Sequence, residues 1–217
     1  MANATASMPS TGPYRDPSIN RLYELLFGDR PDLYQKLMHG SQGYPWESLL
    51  SETAPVADLQ QIATDDELET RAKLLACFRL RAGGHPVPKR ELLAVVIEVG
   101  LDKGLDVLAS YQDGTARYIN QSEKIAIWET TDSRSNLLTS NLFRDSIAIV
   151  SKIGPWAGPR RPFPTRGNLR ISFLLSDGLY FGEGPMNALF NDPLAAPALN
   201  AAVQLMQYIT DRVLKTQ

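Results

Sequence analysis

The sequence predicts an α+β protein built on a mainly antiparallel, twisted sheet: a four-strand meander, a helix, a β-hairpin and a C-terminal helix, with an N-terminal helical cap. Two observations carry that expectation. Asp-Gly stands between strand-forming residues at two places, Asp113-Gly114 and Asp177-Gly178. Such pairs suit tight hairpins, because Gly tolerates positive φ and Asp hydrogen-bonds its own backbone. The hydrophobic period also changes in blocks along the chain, from helical spacing to alternation and back, twice. Segregated blocks of this kind belong to an α+β plan and not to repeated βαβ units.

Residues 1–16 are rich in Ala, Ser, Thr and Pro with few large apolar groups, and are expected to be a disordered tail. Residues 17–84 read as a helical cap subdomain. Leu22, Tyr23, Leu25, Leu26 and Phe27 recur at helical spacing, and short helical pieces are expected around Leu33–Met38, Trp46–Leu50 and Val56–Ile62. A longer helix is expected from Thr64 to Ala82, with Thr64 and Glu67 at capping-box spacing and Gly83-Gly84 as its stop.

Residues 85–217 read as the sheet domain, one compact unit with the cap. The run Leu92-Leu93-Ala94-Val95-Val96-Ile97 is apolar on both faces, which suits a central strand covered on two sides. In the next strand Leu105, Val107, Ala109 and Tyr111 alternate with Asp106, Leu108 and Ser110. Strands over 115–120 and 123–128 complete the meander. Between Asp132 and Gly154 the positions Leu138, Leu142, Phe143, Ile147, Val150 and Ile153 return to helical spacing. In the second hairpin Leu169, Ile171, Phe173 and Leu175 mark an inward face, with Arg170 and Ser172 expected on the outer one. The last helix is expected from about Asn191, with Asp192 as N-cap and Leu199, Ala202, Val203, Met206, Ile209 and Val213 buried.

Composition narrows the function classes. With 22 basic against 24 acidic side chains and a formal charge of -2, the chain has no general attraction to a polyanion, which disfavours a nucleic-acid binder. The single cysteine, Cys77, excludes an intramolecular disulfide and a cysteine-based zinc site within one chain. No secretory signal and no membrane-spanning window is visible. A soluble, cytoplasmic protein with no cofactor is expected.

No catalytic constellation stands out, since neither HExxH nor a Gly-x-Ser-x-Gly elbow occurs. His85, between Gly84 and Pro86, could serve as a base but reads first as a turn residue, and His39 lies in the cap. Asp113 and Asp177 would form a carboxylate pair if the hairpin tips met, although turn chemistry explains both. Trp46, Trp128 and Trp156, with Tyr44 and Tyr118, could make a stacking surface but suit packing better. The segment Phe181-Gly182-Glu183-Gly184-Pro185 reads as a strand exit and only weakly as a phosphate loop.

The most unusual segment is Gly158-Pro159-Arg160-Arg161-Pro162-Phe163-Pro164-Thr165-Arg166-Gly167. Arginines on a proline-stiffened loop can clamp an anion or dock on a partner. The binding residues expected are Arg160, Arg161, Arg166, Trp156, Phe163, Asp177 and Tyr180. The leading expectation is a non-catalytic binding or protein-interaction module whose partner is a protein or a small anionic ligand. The alternatives are a small enzyme on an anionic substrate, with His85 or Asp177 as base, and a homodimer formed through a sheet edge or the last helix.

Overall fold

A computed structural model describes residues 12–37 and 43–213. Five helices come first: α1 (Pro17–Leu25), α2 (Pro31–Leu37), α3 (Trp46–Leu50), α4 (Val56–Thr64) and α5 (Thr70–Ala82). The meander follows as β1 (Leu92–Leu101), β2 (Gly104–Tyr111), β3 (Ala116–Ile119) and β4 (Ile125–Trp128). Then come α6 (Ser133–Val150), the hairpin β5 (Asn168–Leu175) and β6 (Gly178–Pro185), and the helices α7 (Met186–Asn191) and α8 (Ala196–Val213). All neighbours pair antiparallel in the order β4-β3-β2-β1-β5-β6. The expected fold class is the one observed.

β1 lies inside the sheet because both of its faces are apolar. Val96 joins the core under the N-terminal helices, with Leu75, Leu80, Val107 and Tyr111. Val95 and Ile97 join the core under α6 and α8, with Leu142, Phe173, Leu199 and Leu205. The sheet is therefore covered on both faces. Arg170 and Ser172, expected to face outward, are only 2% and 1% exposed. Alternation put them correctly on the face opposite Leu169 and Ile171, but the N-terminal helices and the 155–167 connection cover that face too.

Several boundaries differ from the sequence expectation for local reasons. The helix expected from Thr64 breaks, because Thr64 Oγ1 donates back to Gln60 O and Gln61 O, ending α4, and Asp65 accepts from the Glu67 N–H in a tight turn. In α6 the phase set by Leu138 and Leu142 buries Ser146 and Ile149 and leaves Ile147 57% exposed, contrary to expectation. Asp192 does cap the last helix, accepting from Leu194 N and Ala195 N at 2.9 and 2.8 Å, but α7 precedes it. Gly182 to Pro185 belong to β6 and do not form its exit.

The hairpins also use Asp-Gly differently from the two-residue turn expected. Gly114 N donates to Tyr111 O, and Tyr111 N to Thr115 O, so Gln112 and Asp113 fill the turn and Gly114 follows at φ +86°. Leu175 pairs with Gly178, which leaves Ser176 and Asp177 at the centre of the second turn. Within the expected tail, residues 1–11 lie outside the described residues. Tyr14 is 2% exposed and donates its hydroxyl to Leu105 O at 3.2 Å.

Candidate functional site

The connection from α6 to β5, residues 155–167, is a strap held along its length. The Trp156 N–H donates to Leu179 O of the edge strand β6 at 2.7 Å. The Trp156 ring meets Phe181 edge-on at 5.3 Å, and its indole N–H donates to Pro159 O at 2.9 Å. The far end is fixed where Gly167 N donates to Gly100 O at 2.9 Å. A Cβ on Gly100 would fall 2.2 Å from Thr165 O, so only glycine lets the strap pass this close.

Arg160 ties the strap to the cap. Its guanidinium lies 3.9 Å from the Phe27 ring centroid, donates through Nε to Asp29 Oδ2 at 3.0 Å, and through Nη2 to Glu24. Burial acts to lower its pKa, but Asp29 and Glu24 outweigh that and hold it above the usual value.

Arg170 supports the strap from below, donating to the backbone carbonyls of Arg161 (3.1 Å) and Pro162. It also pairs with Glu183 at 3.1 Å and with Glu98 at 3.5 Å. Glu98 is fully buried and accepts the Tyr23 hydroxyl at 2.6 Å, while its Oε2 has no hydrogen-bond partner. Burial raises the Glu98 pKa against the opposing pull of Arg170, and raises that of Tyr23 further with help from Glu98.

Above this network opens a cleft of about 460 Å³, lined among others by Pro13, Tyr23, Glu24, Asp29, Arg161 and Phe163. Its volume falls in the range of roughly 300–1,000 Å³ typical of ligand sites. A crevice under α8, between Ile97, Leu169 and Met206, measures about 60 Å³ and is too small for that role. On the cleft side Trp156 is 44% and Phe163 38% exposed. Arg161 reaches Glu183 at 3.3 Å and lies 5.9 Å from the Phe181 ring.

The expected site residues thus divide into three groups. Arg160, Arg161, Trp156 and Phe163 belong to the strap and its cleft, but Arg160 is already neutralised. Arg166 pairs with Asp102 at the far end of the strap, with both side chains largely exposed. Asp177 and Tyr180 belong to a separate cluster with Arg90, at 2.9 Å from Arg90 Nε to Asp177 and 3.2 Å from the Tyr180 hydroxyl to Asp177. The strand pleat sends Tyr180 into the α6 and α8 core, opposite to Phe181.

The other candidates have structural partners. Asp113 accepts the Thr70 N–H at 2.8 Å, and its own N–H donates to Thr70 Oγ1 at 3.1 Å, a reciprocal cap on α5 supplied by a hairpin. His85 is exposed, and its N–H closes the end of α5 by donating to Leu80 O at 2.8 Å. Its ring has no ion pair among the described residues, and His39 lies outside them. Trp46 stacks on Tyr34, Trp128 meets Tyr208, and Trp156 meets Phe181, so the tryptophans form no common surface. Cys77 is buried, which pushes its thiol up to about 11 and away from reactivity.

Sequence reasoning missed Tyr23, Glu24, Asp29, Glu98 and Arg170. One signal could have found two of them: Glu98 and Arg170 are charges inside strands otherwise apolar on both faces, and a buried charge needs a partner.

Fold and site define an α+β protein with a six-strand antiparallel sheet, helices on both faces and a strap-bordered cleft. Among the described residues no helix is long and apolar enough to cross a membrane. No protein-family model matches the chain, and comparison with curated proteins finds no significant similarity.

Proposed function

We propose that the protein is a non-catalytic binding module that receives a segment of a protein partner in the cleft beside the strap, with Trp156, Arg161 and Phe163 as the contact residues. The observation that carries this reading is the exposure of two large aromatic side chains, Trp156 at 44% and Phe163 at 38%, on a strap whose backbone is fixed from beneath by Arg170 and Arg160. Rigid aromatic groups bordering a concavity are favoured contact anchors, because they bury large area at little entropic cost. A small anion is the weaker ligand, since Arg160 is already neutralised by Glu24 and Asp29.

A photoreactive benzoylphenylalanine at position 163, with position 147 on α6 as an exposed control, tests the reading in the cells that make the protein. A discrete cross-linked partner at 163, absent at 147 and lost on Trp156→Ala, is the expected result. Equal labelling at both positions, or none at 163, would remove the strap from consideration.

A further inference from the structure

We propose that the segment entering the cleft is an extended acidic peptide carrying an aromatic side chain, an inference that rests on the partner-binding reading above. The charges of the cleft are asymmetric in exposure. Its carboxylates are turned inward: Asp29 Oδ2 and Glu24 Oε2 are both engaged by Arg160, whose side chain is only 15% exposed. The cations of the rim face solvent. The Arg161 side chain is 51% exposed and reaches Glu183 through Nη1 alone, while Arg170 claims the same carboxylate oxygen from below. Its Nε and Nη2 donors have no protein partner among the described residues. The Arg30 side chain is 41% exposed and paired with Asp32 and, at 3.7 Å, Glu24. Arg21, one turn before Glu24 on α1, is exposed and makes no ion pair among the described residues.

An acidic side chain arriving from solvent meets guanidinium groups with donors to spare, in the fork geometry that suits a carboxylate. A cationic segment would meet the same arginines and carboxylates already satisfied. The aromatic requirement comes from the walls, where the Tyr23 and Phe163 rings and the Pro13 and Pro162 side chains offer apolar surface. Asp29 Oδ1 supplies a polar fixing point. It is buried, belongs to a residue lining the cleft, and has no hydrogen-bond partner, so it can accept an N–H from the segment.

Selection of a random peptide library on the full chain tests the proposal. Recovered sequences should place Asp or Glu near Phe, Tyr or Trp. A synthetic peptide of the recovered sequence should lose roughly tenfold in affinity on Arg161→Gln, lose more on Arg30→Ala with Arg161→Gln, and weaken as salt is raised. Arg161→Gln changes a half-exposed side chain, and its unaltered melting temperature would verify the fold. Acidic peptides that bind the double variant as well as the wild type would overturn the proposal by placing their site elsewhere. Recovered peptides without acidic residues that still depend on Trp156 and Phe163 would overturn it while sparing the partner-binding reading. Peptides independent of all four side chains would overturn both.

Discussion

The two faces of the sheet bury different chemistry. Among the described residues the four buried charged side chains, Lys73, Glu98, Arg117 and Arg170, all lie on the side of the N-terminal helices. The side under α6 and α8 buries aliphatic and aromatic groups together with the neutral hydroxyls of Ser110, Thr139 and Ser146. The first face is joined by directional contacts to elements far away in sequence, such as Arg160 to Glu24 and Tyr23 to Glu98. The second is closed by shape and burial. The difference teaches where a binding site has formed: the cleft lies where covering elements are tied by ion pairs, a covering that leaves polar groups and a concavity at its seam.

The largest expected effect breaks the network at its centre. Arg170→Ala leaves Glu98 buried without a counter-charge and removes the donors that hold the strap carbonyls of Arg161 and Pro162. Chemical denaturation should register a loss of about 3–5 kcal/mol, the usual cost of orphaning one partner of a buried pair. Phe173→Ala on the opposite core should cost a similar ~3–5 kcal/mol through a cavity. The double change Glu98→Leu with Arg170→Met separates the two mechanisms, since it leaves no orphaned charge and should cost clearly less than Arg170→Ala alone. A double variant as unstable as Arg170→Ala would mean that the strap contacts, and not the charge pair, carry the stability.

This contrast also explains what could be read from the sequence. The face under α6 and α8 was nearly transparent, because Leu169, Ile171, Phe173 and Leu175 alternate and Leu138 and Leu142 repeat at helical spacing. The other face was not. Arg170 and Ser172 look like solvent-facing residues of a one-sided sheet, and only the path of the strap and the position of α1 reveal that they are covered. Tyr23, Glu24 and Asp29 are far in sequence from residues 160–170, so no local spacing brings them to Arg160. The strap itself stood out by composition, but the same composition hid the fact that Arg160 is neutralised internally. Asp113 was explained by its turn, and its second role, capping α5 across the fold, has no sequence signature at all.

A smaller effect, in pH, sharpens the same contrast. Burial raises the Glu98 pKa above its ordinary 4.5, with Tyr23, Arg170, Arg160 and Glu183 as the neighbouring groups that modulate it. A carboxyl whose pKa is higher folded than unfolded contributes stability that is fully present below the unfolded value and lost as pH rises through the folded one. Glu98→Gln lacks this loss. The stability of the variant relative to the wild type should therefore improve as pH is raised from about 4.5, when unfolding is followed across a pH series. A difference independent of pH would show that Glu98 titrates alike in both states.

The smallest expected effect has the opposite sign and belongs to the other face. Ser146, in the middle of α6, is fully buried, and its hydroxyl has no hydrogen-bond partner. Removing a buried polar atom that is already unpaired relieves its desolvation penalty, which is of the order of 1–3 kcal/mol, and alanine is the better helix former. The lost contacts of one oxygen offset part of that gain, so Ser146→Ala should be more stable by about 1 kcal/mol, read as a raised denaturation midpoint with an unchanged slope. Deleting a polar group thus destabilises one face and stabilises the other, because on the cap side polar groups are bound into a network and under α6 they are isolated. A Ser146→Ala variant less stable than the wild type would mean that the hydroxyl finds a partner in solution, and that the apolar face too depends on directional contacts.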